Sequence, residues 1–366
     1  MERMSEKRKQ ILQMVEEGKL SVDEALTLLN SLEKDSANDS SYAKPDKAEL
    51  SPYVGGKQKK TYASKSSQSS LKEKLFTFVD QTVKKVKEGD LDFNFGPSID
   101  VQHIFQQSEA YIQEIDVDLA NGSVQLRPWG STEVRIECEA AIYKVENSDE
   151  ARRTFLQHTA FSIENGKLRF AIQQKQMKVK AIIYIPEMEY ERVKLRMFNG
   201  SIDGERLSVR DLKAKTANGT IRFYDVNSHS LEMETSNGHM ELSRILASKC
   251  ELETINGTVK FDGDTKKIDV QTFNGDIDTY LKGERIEKAF FKTTTGSITL
   301  YTPPHLSVDG DLKSNFGNFT CTLPEMEIVD EKKETVMKQL RFKANVASPK
   351  GYKLLAESKT GSIVIK

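Results

Sequence analysis

Five histidines, His103, His158, His229, His239 and His305, are the first place to look for chemistry. They stand far apart, and none has the HExxH or related spacing that brings two imidazoles onto one metal ion. Each is expected as an exposed surface residue. Cys138, Cys250 and Cys321 are an odd number of scattered thiols without CxxC spacing, so they read as buried thiols of a reducing compartment. Aspartates such as Asp262, Asp264, Asp276 and Asp278 are of a type that calcium could use. The nine-residue glycine and aspartate pattern of calcium-binding solenoids is missing around them. The sequence also lacks a GxSxG elbow, a Walker loop and a strand-to-helix GxGxxG. The expectation is a protein without catalytic residues, metal, cofactor or small-molecule substrate, and therefore not an enzyme.

The chemistry that remains is association. Leu71, Leu75, Phe78, Val79, Val83 and Val86 lie at helical spacing, with Lys72, Lys74, Lys84, Lys85 and Lys87 around them. This predicts a basic amphipathic helix over 71–88. Residues 35–89 hold 11 basic and 7 acidic side chains, a local excess of +4 hidden by the chain-wide balance of 54 Lys+Arg against 55 Asp+Glu. Such a helix suits an anionic bilayer, with Leu75, Phe78, Val79 and Val83 inserted and the lysines among phosphates, at about 1 kcal/mol per cation. It equally suits packing on the β region behind it, and the sequence leaves both open. The overall charge of −1 argues against a nucleic-acid partner.

Upstream, residues 1–34 read as a helical hairpin. Ile11, Met14 and Val15 give the first helix its apolar face, and Gly18 is placed to end it. Ser21-Val22-Asp23-Glu24 has the form of a capping box opening a second helix, whose stripe contains Leu28, Leu29 and Leu32. So small a unit buries little by itself, and the stripe should meet a partner or a second copy. Residues 35–70, with nine serines, six lysines and few large aliphatics, read as a flexible linker. No run of about 18 apolar residues is present, nor the apolar core of a signal peptide. A cytoplasmic protein, peripheral at the membrane, is expected.

The elements that would present any binding surface are set by a repeat. LRMFNGSI, AKTANGTI, METSNGHM, LETINGTV and VQTFNGDI place corner residues at Asn199-Gly200, Asn218-Gly219, Asn237-Gly238, Asn256-Gly257 and Asn274-Gly275. The glycine intervals are 19, 19, 19 and 18 residues. Degraded copies follow around Gly296, Gly317 and Gly361, and Gly122 marks an early one. Apolar residues fall four before the Asn and three after it, so inward parity switches there. A straight strand cannot change parity, so Asn-Gly should be a corner, made of the residues that best tolerate positive φ. The outward column Asp203, Arg222, Glu241, Lys260, Asp278 alternates in sign, as a parallel in-register stack requires.

These features predict a mainly β fold: a β-solenoid of ~19-residue NG repeats over 111–366, irregular over 111–198 and regular over 199–322. A meander of hairpins with Asn-Gly turns is the alternative. The charged stretch Glu331 to Lys338 reads as a helix or loop excursion.

The NG repeat, with Arg127-Pro128-Trp129 and the proline-stopped strand AIIYIP before it, resembles the DUF4097 β-strand-repeat family, an adhesin-like family. GKLSVDEALTLLNSLE resembles the SHOCT-like helical module that precedes it in YvlB- and LiaX-type proteins of Gram-positive bacteria. The resemblance covers most of the chain except the linker. It implies a non-enzymatic modulator of the cell-envelope stress response, with the helical part sensing membrane-active agents and a PspC-like membrane protein as partner. A self-assembling structural or adhesin-like protein, forming homo-oligomers, is the alternative function. An enzyme acting on envelope glycans comes third, with no residue to serve as its acid or base.

Overall fold

A computed structural model describes residues 96–109, 111–334 and 337–366. The helical hairpin expected over 1–34, the linker over 35–70 and the basic helix over 71–88 lie outside the described residues. The fold is mainly β, an open sheet of nineteen hydrogen-bonded strands. Among the described residues it carries one α-helix, α1 (Ser148–Gln157).

The alternation along the repeats dictates how these strands lie. In β7 (Glu189–Asn218), β8 (Ile221–Asn237), β9 (Met240–Asn256) and β10 (Val259–Asn274), every second residue is buried up to the Asn, and the phase changes across the Gly. Neighbours pair in parallel, Ile202 with Ile221, Ile221 with Met240, and Met240 with Val259. A hairpin meander would pair them antiparallel. One ladder runs before the Asn-Gly corner, a second follows it, and a third short segment begins after Arg206, Asp225 and Arg244. Those three residues adopt left-handed φ of 52°, 58° and 56°. None of them is a glycine or asparagine, so the sequence carries no sign of this second corner.

The two ends depart from chain order. β2 (Glu114–Trp129) pairs in parallel on one side with β7 and on the other with β5 (Lys167–Ile172) and β6 (Met177–Pro186). At the far end β18 (Gly351–Ser358) inserts between β12 (Lys288–Thr293) and β14 (Ser307–Ser314), and β19 (Ile363–Ile365) inserts between β13 (Ile298–Tyr301) and β15 (Phe319–Cys321). Early and late segments of the sheet thus lie inside the stack, while antiparallel strands finish it. β1 (Ser98–Gln107) and β3 (Val134–Tyr143) do so at one end, and β16 (Glu327–Lys333) with β17 (Lys338–Ala344) at the other. Of the stretch expected as a helix or loop excursion, residues 331–333 belong to β16 and Lys338 opens β17. The charge of the stretch comes from β16 being exposed on both faces, which erases the alternation a half-buried strand shows.

The interior is filled by residues such as Phe170, Phe223, Phe261, Phe291 and Phe342, all fully buried. Two glycines make room for rings: a Cβ on Gly204 would lie 2.4 Å from Phe223, and one on Gly310 would lie 2.3 Å from Phe342. α1, capped by Asn147 Oδ1 accepting from the Glu150 amide, tucks Ala151 and Phe155 into the first end of the core.

Candidate binding surfaces

At the corner, identical residues stack on one another. Asn218 Nδ2 donates to Asn199 Oδ1 at 2.8 Å, Asn237 to Asn218 at 2.8 Å, Asn256 to Asn237 at 2.7 Å and Asn274 to Asn256 at 2.9 Å. Asn199 extends the ladder to Asn121 at 2.9 Å, and Asn121 ends it on the carbonyl of Lys175. An amide is donor and acceptor at once, so each asparagine satisfies the next. The threonine two residues earlier has a fixed task as well. Thr216, Thr235, Thr254 and Thr272 donate to the carbonyls of Gly200, Gly219, Gly238 and Gly257, one layer away, at 3.0 to 3.2 Å.

The glycines are required by close approach. A Cβ on Gly200, Gly219, Gly238, Gly257 or Gly275 would lie 1.8 to 2.0 Å from the carbonyl oxygen of the glycine in the preceding layer. Positive φ between 129° and 159° occurs at Gly122, Gly200, Gly219 and Gly275 but at none of the corner asparagines. The expectation that Asn is there for its tolerance of positive φ is corrected: its side chain builds the ladder.

Beyond the corner the outward face is charged. Asp203, Arg222, Glu241, Lys260 and Asp278 are side by side in register, and Arg222 Nε binds Asp203 Oδ1 at 2.6 Å. Two residues further on, Tyr280 and Tyr301 stack with centroids 4.2 Å apart, and Lys366 Nζ lies 5.1 Å from the Tyr301 centroid. This face carries two shallow grooves of about 370 and 470 Å³ that share Glu241 and Ser243. On the face before the corner, Glu232 accepts from Lys213 at 2.5 Å and contacts Lys215 at 3.2 Å, and Lys215 also bridges to Glu234. Although burial opposes it, the hydrogen bond from Lys213 and the charges of both lysines hold Glu232 down at about 2. Burial raises Glu234, and the neighbouring Glu232 charge adds to the rise.

Burial pushes the thiols of Cys138 and Cys250 up to about 12 and also raises that of Cys321, which is half-buried where a buried thiol is expected, so burial favours the thiol form in all three. No group of three or more His, Cys, Asp or Glu that could hold a metal occurs among the described residues. His103 departs from the exposed placement expected of it. It is half-buried, 4.5 Å from the ring of Phe105 and 6.2 Å from that of Phe155, and burial lowers its pKa.

The structure brings the corner residues Asn199, Gly200, Asn218, Gly219, Asn237, Gly238, Asn256, Gly257, Asn274 and Gly275 into one column. Lys72, Lys74, Leu75, Phe78, Val79, Val83, Lys84, Lys85 and Lys87, and the Leu28, Leu29, Leu32 stripe, lie outside the described residues. Sequence reasoning missed a groove of about 500 Å³ on the face before the corner, between Lys249 and Arg341, floored by Phe290 and Leu355. Its residues come from segments separated by the insertion of β18, so no fixed period connects them.

Comparison with known proteins supplies a family. Residues 83–348 match the family model Toastrack DUF4097, and residues 6–37 match a SHOCT-like domain. The chain is 45% identical over 367 residues to the uncharacterized protein YvlB of Bacillus subtilis strain 168, covering 99% of each. Among solved structures, an adhesin candidate from Parabacteroides distasonis aligns at 13% identity with a TM-score of 0.40, covering 73% of this chain and 97% of that one. A lipid-binding candidate from the same organism aligns at 11% identity and a TM-score of 0.40, covering 72% and 96%. None of these descriptions names a reaction. No helix among the described residues is long and apolar enough to cross a membrane.

Proposed function

The chain belongs to the Toastrack DUF4097 family, and from that premise we propose that it is a non-enzymatic binding or regulatory scaffold of the bacterial cell-envelope stress response, acting at or near the membrane surface. The observation that carries this reading is the in-register surface of the parallel strands, which shifts once, between Phe261 and Gly263. A stack locked from Asn121 to Asn274 by a side-chain ladder holds outward side chains at fixed spacing, which suits presentation of a long surface.

In this reading each ~19-residue unit is one coil of a β-solenoid over 111–366. The linker of 35–70 tethers the hairpin of 1–34, whose Leu28, Leu29 and Leu32 meet a partner. Helix 71–88 touches the bilayer or a membrane protein of the PspC-like kind, with Leu75, Phe78, Val79 and Val83 inserted and Lys72, Lys74, Lys84, Lys85 and Lys87 among phosphates. Co-flotation of the full-length protein with anionic and neutral liposomes tests it. The expected result is salt-sensitive flotation with anionic vesicles only, abolished by deletion of residues 71–88 or by changing the five lysines to Glu. Flotation unchanged by those changes, or none by the intact protein, overturns it.

Self-assembly between copies is the second reading. It is favoured by the last layer of the stack, where Phe316, Ile328 and Val329 are 66%, 56% and 56% exposed and strand β16 pairs on one side alone among the described residues. Molar mass in solution at rising concentration decides it, since a constant monomer mass excludes assembly.

A further inference from the structure

Four lysines occupy one position in four successive layers. Lys249 pairs in register with Lys267, Lys267 with Lys288, and Lys288 with Lys353. All four are exposed. At about 4.8 Å per layer the row is about 14 Å long. Like charges directly across neighbouring strands destabilise a sheet. Elsewhere on this face such a clash is neutralised in place: Glu232 and Glu251 face each other, and each has its own cation, Lys213 at 2.5 Å and Lys249 at 2.6 Å. The Lys249–Glu251 pair occupies one end of the row. The side chains of Lys267, Lys288 and Lys353 have no ion pair or hydrogen bond with any described residue. Three adjacent ammonium groups are thus held in line without an ion pair among the described residues, and the row ends on Asp309, which lies in register beside Lys353.

The surroundings restrict what could supply one. Beside the row runs the groove of about 500 Å³ whose floor holds Phe290 and Leu355, and its borders include Glu251, Asp269, Asp309 and Asp311. A broad anionic surface pressed on this face would push its charges against those four carboxylates. A chain one anion wide, laid along the stack axis from Lys249 to Lys353, meets the lysine row over its four layers and stops short of Asp309. Lysine ammonium groups act as point charges for phosphate, without the planar fork by which arginine holds carboxylate or phosphate. A single-stranded nucleic acid needs aromatic platforms for its bases, and the groove has one aromatic residue, the half-buried Phe290.

We propose that the row Lys249, Lys267, Lys288 and Lys353 binds a linear polyphosphate-type polyanion lying along the stack axis. The proposal does not rest on helix 71–88 meeting a membrane.

The test is a titration of the full-length protein with long-chain inorganic polyphosphate at several salt concentrations. It compares wild type with K267Q/K288Q/K353Q and with K178Q/K180Q/K359Q, which removes the same charge elsewhere. Melting temperature confirms that both variants fold. The row variant should bind at least about tenfold more weakly. Its slope of log K against log salt should be shallower by about 2, since each phosphate neutralised by the protein accounts for about 0.7 of the slope. The control variant should stay within about twofold of wild type. Equal weakening in both variants would show attraction to net charge alone and overturn the site. So would no binding by wild type, or row-dependent binding of oligo-dT or anionic vesicles in place of polyphosphate. Unaltered liposome flotation by the row variant keeps this result separate from the membrane reading.

Discussion

The Asn-Gly corner and the outward face four residues beyond it belong to the same layers and follow opposite rules. At the corner the same residue recurs in every layer, Asn on Asn and Gly on Gly. On the outward face the sign reverses from Asp203 to Arg222 to Glu241 to Lys260 to Asp278. The difference is one of donor and acceptor capacity. An amide both gives and takes a hydrogen bond, so identity between layers is favourable, whereas a carboxylate only accepts and needs a cation beside it. A parallel in-register stack therefore favours repetition of self-complementary side chains; repeated charges such as Glu232 on Glu251 have cations beside them, whereas Lys267, Lys288 and Lys353 repeat without an ion pair among the described residues.

Replacing Gly238 by Ala should break the corner most severely, because the new methyl would lie 1.9 Å from the Gly219 carbonyl oxygen, an atom of the backbone itself. A decrease of about 4 kcal/mol in denaturant unfolding is expected. Ala160→Gly, at an exposed position of β4 (Ala160–Glu164), serves as the mild comparison and should cost about 1 kcal/mol or less. Asn237→Ala removes two ladder bonds, to Asn218 and from Asn256, and should cost about 2 kcal/mol.

Acid should weaken the charged region in a defined window. Glu232 sits at about 2 in the folded state and near its ordinary value of 4.5 when unfolded. A depressed carboxylate contributes stability above its unfolded pKa and loses it as pH falls through the folded one, so the decline should run from about pH 4.5 down to about 2. Glu232→Gln should flatten that part of the stability–pH curve. The smallest effect belongs to the outward column: Asp203→Lys sets two cations side by side at Arg222 and should cost about 1 kcal/mol or less, diminishing with added salt.

The parts legible in the sequence are those governed by the 19-residue period. Inward alternation, the corner position and the sign-alternating column each recur at fixed spacing, so one chain displays them several times over. The parts that are not legible depend on chain segments meeting out of order. Lys249, Lys267, Lys288 and Lys353 are aligned in space, yet their spacings along the chain are 18, 21 and 65 residues, because β18 returns from the C-terminal part to lie beside β12. The second corner is hidden for another reason: Arg206, Asp225 and Arg244 take a left-handed conformation that glycine would have signalled. β16 escapes sequence reasoning because a strand exposed on both faces has no alternation to detect.

The distance between nitroxide labels on Asp203→Cys and Asp278→Cys tests the central claim, the in-register parallel stack, most directly. Four layers separate these positions, so a narrow distribution centred near about 19 Å between backbones is expected, at about 4.8 Å per layer. A broad distribution, or a mean far from that value, would contradict the stack and with it the fixed surface on which the proposed scaffold depends.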